Sequence, residues 1–317
     1  MRSSQSSLIE SESTSFFSSI TSGKIKKPLF MVLYTRPSVG KTDFGASFPD
    51  PVFFDFEEST YNLNVKRKRP ESWDEIMDDL HEIYERPKIT EFKSLIFDTI
   101  DEMERLIHKA IADGKKKEFI QDIGYQKGYE LSVNYWADFI SILRGIRDKH
   151  GIHILLLAHA TETLKSDRET GLDYHRYSMS LHKKAADYIF GQVEMVLFAK
   201  KELRLIKSDE KVIAKDSEKR IIYTQLGAIW DAKNRIGLPS SFEMPSRAGF
   251  SIIWAAYEKA FGETEDAVYS ECLEEIKGVR DEKLQADMKA FIDANKKNLA
   301  NLRGARERIK ANKEVQK

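Results

Sequence analysis

A short loop between an apolar run and a helical segment constrains this chain most. It reads Thr35-Arg36-Pro37-Ser38-Val39-Gly40-Lys41-Thr42 and follows the apolar run 29–34. The pattern G-x-x-x-x-G-K-[ST] binds phosphate in this context, because a tight loop opening a helix directs backbone N–H groups at phosphate oxygens. Lys41 is expected to reach the outer phosphates and Thr42 to bind Mg²⁺. The residues predicted to contact the nucleotide are Ser38, Val39, Gly40, Lys41, Thr42 and Asp43.

One position departs from that pattern, because Thr35 stands where the first glycine is expected. Glycine is favoured there for its backbone freedom, and a β-branched residue favours a different turn. Pro37 partly compensates by stiffening the loop. A Gly-Lys-Thr triplet is also common by chance, so the interpretation depends on the strand before it, the helix after it and the acidic strand ends described below.

Composition excludes several other classes of protein. The 317 residues carry 51 basic and 51 acidic side chains, so the chain is not uniformly basic as a bulk nucleic-acid coat would be. That neutrality is a sum of opposed blocks, since residues 263–287 are acidic and 288–317 are basic. The one cysteine, Cys272, excludes a disulfide framework and favours a reducing compartment. The longest apolar runs reach only half of the roughly 20 residues that a membrane span needs. With no secretory signal evident, we expect a cytoplasmic protein that does not bind membranes.

The order of apolar runs along the chain predicts an α/β protein with a mainly parallel sheet flanked by helices. Residues 1–23 contain ten serines and are expected to form a disordered arm. Residues 24–261 are expected to form the core, and 262–317 a charged helical appendage. The predicted strands are 29–34, 52–56, 94–98, 152–159, 193–199, 220–224 and 228–232. The predicted helices within the core are 42–48, 72–84, 101–112 and 131–150.

Two of these strands end in acids suited to nucleotide hydrolysis, which needs one carboxylate at a metal ion and another that accepts a proton from water. The run 94–98 ends in Asp98, which we expect to hold Mg²⁺ directly or through water. The run 52–56 is followed by Glu57, the better candidate for the general base. In the alternative interpretation, Asp55, Glu57 and Glu58 only cap the next turn.

A third strand ends in His159, a polar residue placed to sense the outer phosphate of a bound nucleotide. A metal site formed by His150, His153 and His159 is the competing interpretation. It is weak, because His153 and His159 lie at opposite ends of one predicted strand, about 20 Å apart. An ordinary core or surface histidine is the simplest interpretation of His150 and His153.

In order along the chain, these segments resemble the RecA-like ATPases, and more closely the bacteriophage proteins grouped with Sak-type single-strand annealing recombinases. The resemblance covers 29–239 and includes Gly124-Tyr125-Gln126-Lys127-Gly128-Tyr129, Leu181-His182-Lys183-Lys184-Ala185-Ala186 and Asp231-Ala232-Lys233-Asn234-Arg235-Ile236-Gly237 besides the segments above. It implies a RecA-like ATPase core, with ATP and Mg²⁺ as cofactors, Glu57 as the catalytic glutamate and His159 as the residue that couples nucleotide state to DNA binding.

The resemblance also implies partners. Lys233 and Arg235 look like the basic element that reaches a neighbouring subunit's nucleotide, so self-association into a ring or filament is expected. An ordinary exposed basic pair is the alternative. A single-strand DNA-binding protein is a further candidate partner.

Two DNA-facing loops follow from the same resemblance, at 115–129 and 161–184. Basic residues alternate with aromatic ones there, which suits single strands because cations follow phosphates while rings stack on bases. The second loop also holds several acids, so a solvated loop or a subunit contact is the alternative. The predicted single-stranded DNA contacts are Lys116, Lys117, Tyr125, Lys127, Tyr129, Arg176, Lys183 and Lys184.

The sequence therefore favours an ATP-hydrolysing RecA-like protein that acts on single-stranded DNA in phage recombination or replication, by annealing or strand exchange. Thr35 motivates an alternative, a nucleotide-binding assembly protein with little or no hydrolysis. A RecA-like helicase or helicase-loading ATPase is another. A small-molecule kinase is a further alternative, although the sequence offers no clear arginine-bearing lid.

Overall fold

The computed structural model describes residue 20 and residues 24–124, 126–166, 171–208, 211–245, 248–262 and 265–315. A nine-stranded sheet organises the chain, with the strand order β3-β2-β4-β5-β1-β7-β8-β9 and with β6 paired to β5. The strands are β1 (Phe30–Thr35), β2 (Pro51–Asp55), β3 (Lys66–Lys68), β4 (Ser94–Asp98), β5 (His153–Ser166), β6 (Asp173–Met179), β7 (Met195–Ser208), β8 (Lys211–Tyr223) and β9 (Ser241–Glu243). The predicted arm 1–23 lies outside the described residues, apart from Ile20.

Helices cover both faces of this sheet. They are α1 (Lys41–Ala46), α2 (Trp73–Glu85), α3 (Ile100–Gly114), α4 (Lys127–His150), α5 (Lys183–Gln192), α6 (Gly249–Phe261), α7 (Glu265–Ile276), α8 (Glu282–Ala294) and α9 (Leu299–Val315). Helices α2 to α5 pack on one face and helices α1 and α6 on the other. The predicted fold class is confirmed in its architecture: the central sheet is mainly parallel and flanked by helices, and the C-terminal region is helical.

The central strands are apolar on both sides because each side faces a helical layer. In β1, Phe30 and Val32 join the core under α2 to α5, whereas Met31 and Leu33 join the core under α1 and α6. Strands β1, β2, β4 and β5 and the first part of β7 run parallel. Their carboxyl ends therefore meet at one edge of the sheet, which is where binding sites form in open α/β folds.

Strand β5 is longer than the sequence predicted. After His159 it leaves the central sheet and pairs antiparallel with β6, from Ala160 opposite Met179 to Ser166 opposite Asp173. The segment 161–184, expected to be a loop, is therefore largely a β-hairpin. Most of its described residues are polar and only Met179 is buried, so neither the apolar content nor the period that marks a core strand was there to reveal it.

The prediction of a strand at 228–232 is wrong. The chain makes only isolated bridges there, between Gly227 and Trp230 and between Tyr177 and Trp230. The Trp230 ring packs 4.1 Å from the Tyr223 ring, so the apolar character of this segment serves a side-chain cluster and not a strand. Strands β7 and β8 are correspondingly longer than predicted and form a hairpin.

The last three helices have a core of their own. Val268, Cys272, Ile292, Leu302 and Ile309 are nearly inaccessible to solvent and pack together. Cys272 is a free, buried thiol. In the part of the chain that the structure describes, no helix combines the length and apolar character that crossing a bilayer requires.

His153 gives the fold a specific sensitivity to acid. Its Nδ1 accepts the Leu29 N–H at 3.0 Å, and its ring packs against Phe250 and Trp254. Burial lowers the pKa of His153 from 6.5 to about 4. Because the folded state favours the neutral ring, its contribution is complete above pH 6.5 and is lost as the pH falls towards 4.

We therefore predict that His153→Gln flattens the loss of unfolding free energy between pH 6.5 and 4, by up to about 3 kcal/mol. Denaturant unfolding at a series of pH values measures this slope. His81→Gln, at an exposed histidine, serves as the matched control. Equal slopes for wild type and His153→Gln would contradict the assignment.

Candidate functional site

The loop after β1 takes the form of a phosphate loop although it lacks the first glycine. Thr35 is 1% exposed and ends β1, paired with both His159 and Ala199. The left-handed backbone angles fall further on, at Ser38 with φ 64° and at Gly40 with φ 95°. The position of the missing glycine is thus extended strand, which a β-branched residue favours.

Arg220 supports this loop from β8. Its guanidinium donates a hydrogen bond to the Val39 carbonyl oxygen at 3.1 Å. A Cβ added to Gly40 would lie 2.5 Å from the same guanidinium nitrogen, so glycine at this position leaves room for the arginine. Arg220 could not be predicted from the sequence, because only the pairing of β8 brings it to the loop.

The structure brings together Thr42 and Asp98, the two residues predicted to hold Mg²⁺. The Thr42 hydroxyl donates to Asp98 Oδ2 at 2.7 Å, and the Ser59 hydroxyl donates to the same oxygen at 2.8 Å. Burial raises the pKa of Asp98, against the opposing effect of the Lys41 ammonium. Within the described residues, the buried Oδ1 of Asp98 has no hydrogen-bond partner. A carboxylate oxygen left in this way beside a hydroxyl fits a hard cation such as Mg²⁺.

Lys41 lies at the centre of the site. Its ammonium is 3.2 Å from Glu57 Oε2, 3.0 Å from His159 Nε2 and 3.9 Å from Asp98 Oδ1. The other oxygen of Glu57 accepts the Thr99 hydroxyl at 2.7 Å. Four strand ends therefore bring the predicted lysine, glutamate, aspartate and histidine into one cluster, beside the loop that carries Thr42.

The three acids at the end of β2 and just after it make different contacts. Asp55 accepts hydrogen bonds from the Ser59 N–H at 3.0 Å and the Thr60 N–H at 3.1 Å, so it caps the following turn. Glu58 is exposed and pairs with Arg69. Of the three acids, only Glu57 points at Lys41. The interpretation as a general base therefore fits Glu57, and the interpretation as a cap of the next turn fits Asp55.

His159 is oriented by a residue that the sequence analysis missed. Asp101, in the first turn of α3, accepts the His159 backbone N–H at 2.9 Å and the His159 Nδ1 at 2.7 Å. The hydrogen bond to Asp101 raises the pKa of His159. Burial would raise the pKa of Asp101, but its hydrogen bonds from His159 outweigh burial and lower it.

A histidine metal site does not fit this arrangement. His153 begins β5 and bonds to Leu29, whereas His159 lies six residues further along the same strand and His150 contacts the Tyr84 carbonyl. Glu57, Asp101 and His159 do offer ligand atoms within 4.8 Å of one another. The Lys41 ammonium already lies within 3.2 Å of two of them, so this cluster is neutralised by a lysine.

A cavity of about 220 Å³ opens beside the cluster. Its walls combine the loop with the turn after β2, and they include the predicted nucleotide contacts Ser38, Val39, Gly40, Lys41, Thr42 and Asp43 as well as Ser59, Asn62 and Leu63. The lysine and the Thr42 hydroxyl at its wall can contact a phosphate chain and its metal ion.

Lys233 and Arg235 lie away from this cavity. The Lys233 ammonium donates to the Phe190 carbonyl and sits 4.8 Å from the Phe190 ring centroid. Burial lowers the pKa of Lys233, and the nearby Arg235 contributes in the same direction. The Arg235 side chain is exposed. The two residues do not share one strand face, because Lys233 forms an isolated bridge and the chain bends at 235–236.

The predicted DNA contacts divide into exposed and engaged residues. Lys116, Lys117, Lys127 and Lys183 are exposed. Arg176 forms an ion pair with Asp231 at 2.5 Å, and Lys184 pairs with Glu130 at 2.6 Å. Tyr125 lies outside the described residues.

Tyr129 is not placed as an exposed stacking residue. Its ring stacks on His182 with the centroids 4.2 Å apart and the planes 5° apart. This stack and the Lys184–Glu130 pair join the start of α4 to the start of α5. The two predicted DNA loops are therefore neighbours in space.

Comparison with known proteins gives a family match that spans the strands and loops of the site. Residues 27–236 match the family model described as AAA domain. A crystal structure of the RadB recombinase is similar at 11% sequence identity and a TM-score of 0.40, over 70% of this chain and 90% of that one. No curated protein gave a match.

The position of Thr35 gives a direct test of the loop. We predict that Thr35→Gly lowers the free energy of unfolding by about 1 kcal/mol, since glycine weakens a strand end, and leaves nucleotide affinity unchanged. Denaturant unfolding and nucleotide titration measure the two effects. Thr35→Ser, which keeps the hydroxyl bonded to the Arg36 carbonyl, is the control. A several-fold gain in affinity on introducing glycine would show that Thr35 distorts the loop.

Proposed function

The chain belongs to the AAA domain family, and from this premise we propose that it binds Mg·ATP at the carboxyl edge of β1 and hydrolyses it. The observation that carries the proposal is one connected set of contacts: Lys41 reaches Glu57, His159 and, at 3.9 Å, Asp98, and Asp98 accepts the Thr42 hydroxyl. Phosphoryl transfer depends mainly on positioning and on neutralising charge, and this set supplies both.

Each residue has a distinct part in the proposed reaction. Lys41 neutralises charge on the outer phosphates, and Thr42 and Asp98 hold Mg²⁺, which when bound offsets phosphate charge. Glu57 accepts a proton from the attacking water. Because Thr99 holds Oε1 of Glu57, Oε2 is the oxygen directed at the reacting centre.

His159 is proposed to respond to the outer phosphate. Its Nδ1 is bonded to Asp101, so its Nε2 faces Lys41 with a lone pair. A phosphate that draws Lys41 away removes the donor beside Nε2. The hydrogen bonding of His159 then depends on whether ATP or ADP occupies the site.

We further propose that the chain acts on single-stranded DNA in recombination or replication, the process that the resemblance to phage annealing proteins indicates. The support is the surface around the β5–β6 hairpin. A cavity of about 480 Å³ beside this hairpin is lined by Lys165 and Lys183, by apolar side chains, by Asp187 and by the ion pair of Arg176 with Asp231. Basic side chains next to apolar walls suit a strand whose phosphates and bases are both accessible.

Self-association is proposed to complete the nucleotide site. Arg235 is exposed and makes no hydrogen bond or ion pair with the described residues, so it can reach another subunit without giving one up. An arginine supplied from a neighbour stabilises the charge of the transition state. Lys233 would first have to leave Phe190, so Arg235 is the better candidate of the two.

Substitutions at Lys41 and Glu57 test the proposed hydrolysis. We predict that Lys41→Ala lowers Mg·ATP affinity by about tenfold or more, while Glu57→Gln retains binding and lowers turnover by roughly 100-fold or more. Phosphate release and nucleotide titration measure these effects. Glu58→Gln, at the exposed neighbour paired with Arg69, should behave as wild type. Normal turnover in Glu57→Gln would remove it as the base.

The DNA proposal is tested separately. We predict that single-stranded DNA stimulates ATP turnover and that the double change Lys127→Ala and Lys183→Ala weakens DNA binding several-fold, with a smaller dependence on salt. Fluorescence anisotropy at several salt concentrations measures the binding. The control changes Lys88 and Lys93 to alanine, two exposed lysines close to the amino end of β4. Equal loss of affinity in both double variants would argue against this surface.

A further inference from the structure

Helix α3 binds the chain at His159, where the β5–β6 hairpin begins. This helix begins two residues after Asp98, and both carboxylate oxygens of its residue Asp101 bind His159. His159 is the last residue of β5 before the pairing with β6 begins at Ala160. One side chain of α3 therefore fixes the point where the hairpin leaves the sheet.

The same helix binds the chain at His182, just after the hairpin ends. Oε2 of Glu104 accepts the His182 backbone N–H at 2.9 Å. His182 directly precedes α5, at the point where the chain returns from the hairpin. Glu104 is 6% exposed, and burial raises its pKa to about 7 against the opposing hydrogen bond from the His182 N–H. A carboxyl group buried this deeply is costly unless it is hydrogen-bonded, and the His182 N–H supplies such a bond.

The two ends of the hairpin also make contacts that hold them in place. The Ser180 N–H donates to the His159 carbonyl at 2.8 Å, and Tyr129 stacks on His182. Asp101 and Glu104 are three residues apart, so they lie on one face of α3 one turn apart. A helix is stiff over one turn. A shift of His159 relative to α3 therefore also changes the base of the hairpin, because its other end is bonded to the same helix at Glu104.

We propose that Asp101 and Glu104 are positioning residues through which α3 couples the nucleotide site to the β5–β6 hairpin. The inference rests on the proposed function, because it takes the nucleotide as the input. Asp101 sets the ring of His159 against Lys41, which is 3.0 Å away. Glu104 holds the returning strand to the same helix, so that a change at His159 moves the hairpin as a unit.

Hydrogen exchange of the hairpin tests the coupling without requiring DNA. In wild type, Mg²⁺ with a non-hydrolysable ATP analogue should change amide exchange in 160–166 and 171–181. Glu104→Leu fills the same buried space but offers no acceptor, and should reduce this response about tenfold while nucleotide affinity and basal turnover stay within about twofold. Glu104→Gln keeps an acceptor and should restore the response.

Three further variants keep the test decisive. Glu102→Ala, on the same helix and paired with Arg105, is the matched control and should respond as wild type. If Glu104→Leu does not fold, His182→Pro removes the donor of the same hydrogen bond, at a residue whose φ of −56° suits proline. Asp101→Asn should lower turnover while Mg·ATP affinity is retained.

The outcomes separate this inference from the proposed function. A hairpin that responds to nucleotide equally in wild type and Glu104→Leu overturns the coupling, even if DNA stimulates turnover. A hairpin that responds in wild type and in Glu104→Gln but not in Glu104→Leu supports it, even if DNA has no effect on turnover. A wild-type hairpin that ignores bound nucleotide also overturns the coupling.

Discussion

The site depends on the parallel alignment of four strands whose carboxyl ends meet at one edge of the sheet. Strand β5 lies between β1 and β4, with Thr35 opposite His159 and Leu157 opposite Asp98. This register brings Lys41 within 3.0 Å of a histidine 118 residues away along the chain. The helical layers on both faces exclude water from the strands and so fix that register.

The cluster at this edge is balanced internally. Lys41 is held by Glu57 and His159, while Asp98 keeps one buried oxygen that no described hydrogen bond satisfies. A phosphate chain competes for the lysine and a divalent cation satisfies the carboxylate. On the proposed function, ligand binding therefore exchanges partners within an existing arrangement, and the residues released, Glu57 and His159, are those proposed to act next.

The central strands and the site residues at their ends were largely predictable from the sequence, because a strand that is buried on both faces is a continuous apolar run. The apolar runs that lead to Thr35, Asp98 and His159 have strand length, and the site residues lie at their ends or directly after them. The hairpin was not predictable in this way, since its stability comes from cross-strand pairing of polar residues. Asp101 and Arg220 were missed because their local sequences are ordinary and only tertiary packing brings them to the site.

The proposed DNA surface shows the same limit. Basic and aromatic residues near a loop predict a function by composition, but Tyr129, Arg176 and Lys184 each have a partner within the chain. A sequence pattern cannot distinguish a side chain that awaits a ligand from one that holds two elements together.

The central claim, that Mg·ATP binds at the cluster around Lys41, is most directly tested by a crystal structure with Mg²⁺ and a non-hydrolysable ATP analogue. The account predicts that Thr42 and Asp98 hold the metal and that Lys41 moves from His159 to the outer phosphate. A nucleotide bound elsewhere, or a Lys41 still bonded to Glu57 and His159, would contradict it.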